Sequence, residues 1–128
     1  MEIINVPTPR GLVLKGAMWG DTDTMSTVVI MMSGICSNVF QNELLPSAGK
    51  VLSENGIAFI AGQAMDAFSF ISYHNTQTGK QTTTGVVNDD FSISYEDVDS
   101  YVKYAKNLGF KKIILAGHSL GSNRVIHY

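Results

Sequence analysis

Apolar residues along this chain fall into short unbroken runs, set apart by glycine-marked turns and by stretches of helical spacing. Thr27-Val28-Val29-Ile30-Met31-Met32, Ile57-Ala58-Phe59-Ile60-Ala61 and Lys112-Ile113-Ile114-Leu115-Ala116 are the continuous runs. Runs of this kind suit strands buried on both faces, as in a parallel sheet covered by helices. Between the first two, Leu44, Leu45, Ala48, Val51 and Leu52 recur at helical spacing. Pro46 sits in the first turn of that helix and Asn55-Gly56 ends it. Before the third run, Ser94-Tyr95-Glu96-Asp97 has the form of a capping box. Val98, Tyr101, Val102, Ala105 and Leu108 follow on one face as far as Gly109.

The amino-terminal residues read differently. Ile3 to Val6 and Leu12 to Trp19 are strand candidates joined by the turn Pro7-Thr8-Pro9-Arg10-Gly11, which predicts an antiparallel hairpin at one sheet edge. Gln63 to Ser92 reads as a long, mostly irregular segment, rich in Thr, Gln and Gly between Asn75 and Gly85. Loops of such length are usually functional or mobile. The pattern as a whole predicts an α/β fold: a mostly parallel, helix-flanked sheet with an N-terminal antiparallel hairpin, forming one unit over residues 1–128. There is no internal repeat and no inter-domain linker.

The chemistry concentrates in Gly117-His118-Ser119-Leu120-Gly121, after the third apolar run and before a helix-compatible stretch, Leu120 to Tyr128. Strand, sharp turn and helix are the context of a Gly-x-Ser-x-Gly nucleophile elbow. Strained backbone at the tip aims the serine hydroxyl out of the sheet. Glycines on both sides remove side chains where strand and helix approach. The free N–H groups opening the helix favour an oxyanion forming there. Other glycine-loop readings fail on spacing: no strand is followed by Gly-x-Gly-x-x-Gly, and the loop continues Gly121-Ser122-Asn123 rather than closing with Gly-Lys-Ser/Thr.

Composition narrows the function classes. The chain is 45% hydrophobic and 16% charged, with a net charge of −2. No basic cluster exceeds Lys111-Lys112, which argues against nucleic acid as the main partner. A single cysteine, Cys36, allows no internal disulfide framework. No apolar run approaches the length of a membrane span. The N-terminus lacks a basic region followed by an apolar core, so no signal peptide is expected and a cytoplasmic location is the default. No His, Cys and carboxylate set has metal-ligand spacing, and no metal or other cofactor is expected.

In the order of its elements and in its elbow, the chain resembles the α/β-hydrolase fold superfamily. The stretch from Tyr95-Glu96-Asp97-Val98-Asp99 through Gly117-His118-Ser119-Leu120-Gly121 is similar to bacterial serine hydrolases of the esterase, lipase and aminopeptidase-like type. Malonyl-type acyltransferases carry the same pentapeptide, but an acidic residue normally follows it there, and Ser122-Asn123-Arg124 follows here. The resemblance implies Ser119 as nucleophile and the Leu120 N–H as one oxyanion donor. It implies the Ile35 N–H as the other, because Ser33-Gly34-Ile35 stands where the family commonly has His-Gly-x. The serine at position 33 departs from that pattern. The implied activity is hydrolysis of a small-molecule carboxylic ester or related acyl bond through an acyl-enzyme.

The family supplies its acid and histidine after later strands, in the order Ser, acid, His. This sequence ends before them, so it is expected to be the N-terminal half of a hydrolase, truncated after the elbow. His127 lies eight residues along the elbow helix, about 12 Å away at about 1.5 Å per residue. His118 adjoins Ser119 with its side chain turned away, and His74 sits in the polar segment. The alternative is a catalytically inactive fragment acting as a binding or assembly module. The Lys112–Ala116 strand, lacking a neighbour on its far side, is expected to cover that edge by self-association or by a non-standard packing. Among the remaining candidates, Cys36 reads as a small buried hydrophobe, Asp97 and Asp99 as helix cap and solvated surface, and Asp89-Asp90 as loop. Met18, Met25, Met31, Met32 and Met65 read as core or pocket lining.

Overall fold

Seven strands and three helices alternate along residues 1–128 of the computed structural model. The hairpin is β1 (Glu2–Pro7) and β2 (Val13–Trp19), paired antiparallel with Glu2 opposite Met18 and Pro7 opposite Val13. The apolar runs become β3 (Thr27–Met32), β4 (Ala58–Gly62) and β7 (Lys112–Gly117). The helices are α1 (Leu44–Glu54), α2 (Tyr95–Leu108) and α3 (Leu120–His127). The sheet order is β1-β2-β4-β3-β7. β3 runs parallel to both β4 and β7, and β2 alone opposes its neighbours.

Alternation within the apolar runs explains why helices cover both faces. Val28, Ile30 and Met32 of β3, with Ala58 and Ile60 of β4, join Ile4, Val6, Leu14, Val98 and Tyr101 in the larger core, under α2. Phe59 and Ala61 point the other way and pack with Trp19, Val39 and Leu45, under α1. Trp19 and Phe59 meet there at 5.8 Å between ring centroids. α1 is amphipathic over a narrower stripe than its spacing suggests: Leu45 is buried, but Leu44 and Val51 face solvent. Gly49 lets Trp19 press against the helix, since a Cβ there would overlap the indole.

The segment after β4 is more ordered than its composition suggests. It forms an antiparallel hairpin, β5 (Ile71–His74) and β6 (Gln81–Thr84), followed by two 3-10 turns at Val86–Asn88 and Phe91–Ile93. Asn75 anchors the hairpin: its buried side chain donates to the Arg10 carbonyl at 2.8 Å and accepts the Gln77 and Thr78 N–H groups. Short polar side chains that satisfy nearby backbone do what apolar alternation does elsewhere.

Chain order sets where a site can form. From β3 the chain passes to β4 on one side and later to β7 on the other. The loops after β3 and β7 therefore leave the carboxyl end of the sheet at a topological switch point, where open α/β sheets bind ligands. Met32 of β3 is in register with Gly62 of β4 and Gly117 of β7, so the strands end level.

Candidate functional site

Ser119 stands at the turn between β7 and α3 with φ 55° and ψ −129°. A positive φ is uncommon for a residue with a Cβ, and holding one costs of order 1–3 kcal/mol. The neighbours over-determine it. His118 N–H donates to the Met32 carbonyl at 3.1 Å, Gly121 N–H to His118 O at 3.0 Å, and Ser122 N–H to Ser119 O at 2.9 Å. Ser122 Oγ closes the turn on the Gly117 carbonyl at 2.9 Å. A Cβ on Gly117 would overlap the Ser122 backbone, and one on Gly121 would overlap the Met32 carbonyl. Only glycine fits either position. Ser119 itself is exposed.

The loop after β3 comes up beside it. A Cβ built on Gly34 would lie 2.8 Å from Ser119 Cβ and 3.2 Å from its Oγ. The loop is braced from within: Ser33 Oγ donates to the Ser37 carbonyl at 2.8 Å, and Ser37 N–H donates to Gly34 O at 3.2 Å. Cys36 N–H donates to the Asp66 carbonyl at 3.0 Å. Ile35 is 48% exposed, and its N–H meets no acceptor in the chain. Leu120 opens α3, so its N–H has no acceptor within the helix. Serine at position 33 thus serves as a loop brace.

Several residues differ from their sequence reading. Cys36 is exposed, with φ 50°, its Sγ 3.6 Å from Ser69 Oγ; the loop turns its side chain outward instead of into the core. Asp97 is fully buried, neither a helix cap nor a solvated surface group. It pairs with Arg10, and its Oδ2 accepts the Met65 N–H at 2.9 Å. Burial raises the Asp97 carboxyl above its ordinary range, opposed by Arg10 and that N–H. Ser94 makes no side-chain cap bond to α2. Asp99 does face the surface, paired with Lys103 at 2.6 Å. Tyr73 and His74 lie on β5.

A second buried ion pair joins α3 to the segment after β4. Arg124 of α3 is fully buried, with Nη2 2.8 Å from Asp66 Oδ2, also fully buried, and 3.6 Å from Asp89 Oδ2. Asp89 is raised by desolvation and by Asp66, with Arg124 opposing. One signal was available: an arginine in the first turns of a helix that must pack closely on its sheet.

His127 is engaged away from Ser119. His127 packs against Phe91 and Tyr95, at 5.5 and 6.1 Å between ring centroids, with Nε2 3.5 Å from the Ser92 carbonyl. No group of three or more His, Cys, Asp or Glu side chains has metal-holding geometry. No helix is long and apolar enough to cross a membrane. Two surface concavities, of about 360 and 200 Å³, lie beside Pro7, Lys103 and Tyr104 and beside Asp23, Met25 and Lys111. Ser119 lines neither.

No protein-family model matches the chain, and no curated protein matches it in sequence. Solved structures do match. Est1E from Butyrivibrio proteoclasticus superposes with a TM-score of 0.70 at 18% identity, covering 98% of this chain and 44% of its own. The alpha/beta hydrolase GrgF from Penicillium sp. sh18 gives 0.71 at 20%, covering 96% and 39%. The esterase Pf2001 from Pyrococcus furiosus gives 0.65 at 16%, covering 98% and 44%. The chain thus spans less than half the length of these structures. With the strand order and the flanking helices, these matches assign to residues 1–128 an α/β-hydrolase fold, shared with part of each matched chain.

Proposed function

We propose that the chain carries the nucleophile and oxyanion portion of a serine hydrolase acting on a carboxylic ester or related acyl bond. The observation that carries this reading is the positive φ of Ser119, a serine held in strained backbone between β7 and α3. Strain at an exposed nucleophile-type side chain is characteristic of functional sites. The hydrolase fold and the esterase among the matched structures support the reaction class.

In this reading Ser119 Oγ attacks the acyl carbonyl carbon and gives its proton to a base. The Leu120 and Ile35 N–H groups hold the oxyanion, the alcohol leaves, and water releases the acid. A serine hydroxyl needs such a base to be a competent nucleophile. The matched structures are more than twice as long as the stretch they share with this chain, so the acid and histidine are assigned to polypeptide outside these residues. The engagement of His127 with Phe91, Tyr95 and Ser92 favours a second reading, in which residues 1–128 alone are silent and bind or assemble. β7, paired on one side only and carrying the exposed Ile114, is the edge through which assembly would occur.

A fluorophosphonate probe and a p-nitrophenyl ester separate the two. Labelling and turnover that vanish in Ser119→Ala support the hydrolase. Turnover that survives Ser119→Ala overturns it, and a chain that neither labels nor turns over but self-associates supports the second reading.

A further inference from the structure

Arg124 and Asp66 connect the helix that follows Ser119 to the loop that abuts it. Arg124 sits on α3, the helix that Ser119 opens, and Asp66 follows β4. Both side chains have no exposed surface, and their ion pair measures 2.8 Å. The main-chain carbonyl of Asp66 accepts the Cys36 N–H at 3.0 Å. Cys36 follows Ile35, and Gly34 abuts Ser119. These contacts form a closed circuit: Ser119, α3, Arg124, Asp66, Cys36, the Gly34–Ile35 loop, and Ser119 again.

The pair is a poor stabiliser as built. Its angles fall short of a hydrogen bond, and Nε and Nη1 of Arg124 and Oδ1 of Asp66 have no hydrogen-bond partner in the chain. Two charges fully removed from water lose more hydration than an imperfect pair returns, and apolar replacements of such pairs are often neutral or stabilising. What such a pair does contribute is a fixed geometry between the two elements it joins.

We propose that Arg124 and Asp66 are positioning residues, whose ion pair fixes the Ser33–Ser37 loop against the start of α3 and so sets the spacing of the Ile35 and Leu120 N–H groups around Ser119. This rests on the reading of Ser119 as nucleophile. The linkage itself is testable without catalysis.

The test compares the wild-type chain with Arg124→Lys and with the variant Arg124→Met/Asp66→Leu/Asp89→Asn, in which the second carboxylate facing Arg124, at 3.6 Å, is also neutralised. It reads the urea midpoint, amide hydrogen exchange at Cys36, and the rate of fluorophosphonate labelling at Ser119. This apolar variant is expected to keep the urea midpoint, while Cys36 exchange rises at least about tenfold and labelling slows at least about tenfold. Arg124→Lys, which keeps the charge, is expected to fall between. Unchanged exchange at Cys36 in a folded apolar variant overturns the proposal, and so does a variant that fails to fold, which assigns the pair a structural role. A wild-type chain that never labels counts against the nucleophile reading alone, since the exchange measurement still decides the linkage.

Discussion

Gly34 and Ser119, on loops from two different strands, are in contact with no room for a methyl group between them: a Cβ on Gly34 would lie 2.8 Å from Ser119 Cβ. Ile35, the next residue, is exposed, and its N–H meets no acceptor in the chain. Gly34→Ala must push Ser119 or the loop aside. Misplacement of reacting groups by about 1 Å costs up to about a hundredfold in rate. Fluorophosphonate labelling of Ser119 is expected to slow roughly ten- to a hundredfold, with the urea midpoint little changed. Labelling at the wild-type rate in Gly34→Ala contradicts this placement.

Gly121 makes a different demand. Its missing side chain faces the Met32 backbone carbonyl, which β3 holds in register with Gly117. Backbone in mid-sheet cannot yield as a side-chain tip can. Gly121→Ala is therefore expected to destabilise the fold by about 1–3 kcal/mol, the usual range for overpacking, and to lift α3 from the sheet. Chemical denaturation reads the first effect, and amide exchange along α3 the second.

Arg10 and Asp97 join the β1–β2 turn to the start of α2. Arg10 also reaches Glu96 at 2.8 Å, and Asp97 holds the Met65 N–H. Removing the buried acid leaves the Met65 N–H without its acceptor and the Arg10 guanidinium with Glu96 as its one remaining carboxylate. Asp97→Ala is expected to cost about 3 kcal/mol, and Arg10→Met/Asp97→Leu to recover most of it. Urea midpoints of the wild type and the two variants decide whether the loss belongs to the pair or to the cavity.

Much of the fold could be read in the sequence because its signals are local. The runs at Thr27–Met32 and Lys112–Ala116 became β3 and β7 with almost unchanged bounds, and Gly109 ends α2 with φ 102°. The elbow could be read for the same reason: Gly117, Ser119 and Gly121 carry their geometry within five residues. What could not be read depends on partners distant in the chain. Asp97 looks like a helix-start acid until Arg10, 87 residues away, is folded onto it. Arg124 is a surface arginine by composition, and only Asp66 and the sheet make it a buried one. The hairpin of β5 and β6 has no apolar alternation because Asn75 and backbone bonds to the β1–β2 turn hold it.

Cys36 offers a chemical reading of the loop. Its thiol is exposed and free, and its N–H is bonded to Asp66. A maleimide is expected to modify it completely in the native state, without denaturant. The adduct sits next to Ile35 and is expected to slow labelling of Ser119. Reaction only after unfolding would place the side chain in the core instead.

Tyr101 links stability to alkaline pH. Its hydroxyl donates to the Lys15 carbonyl at 2.7 Å, lies 3.0 Å from the Gln63 carbonyl and accepts the Gln63 N–H at 3.0 Å. Complete burial raises its pKa far above the ordinary phenol value, with the Gln63 N–H opposing. In the unfolded chain the same phenol ionises near pH 10. The folded state therefore holds this proton more tightly than the unfolded state does. Its contribution is fully present below about pH 10, and it is lost as pH rises toward the folded value, at up to about 1.4 kcal/mol per pH unit. Urea midpoints measured from pH 8 to 11 are expected to fall beyond about pH 10. Tyr101→Phe starts from lower stability, because the Gln63 N–H and the Lys15 carbonyl lose their partner, but is expected to show a shallower fall. An equally steep fall in Tyr101→Phe would assign the alkaline transition to other groups.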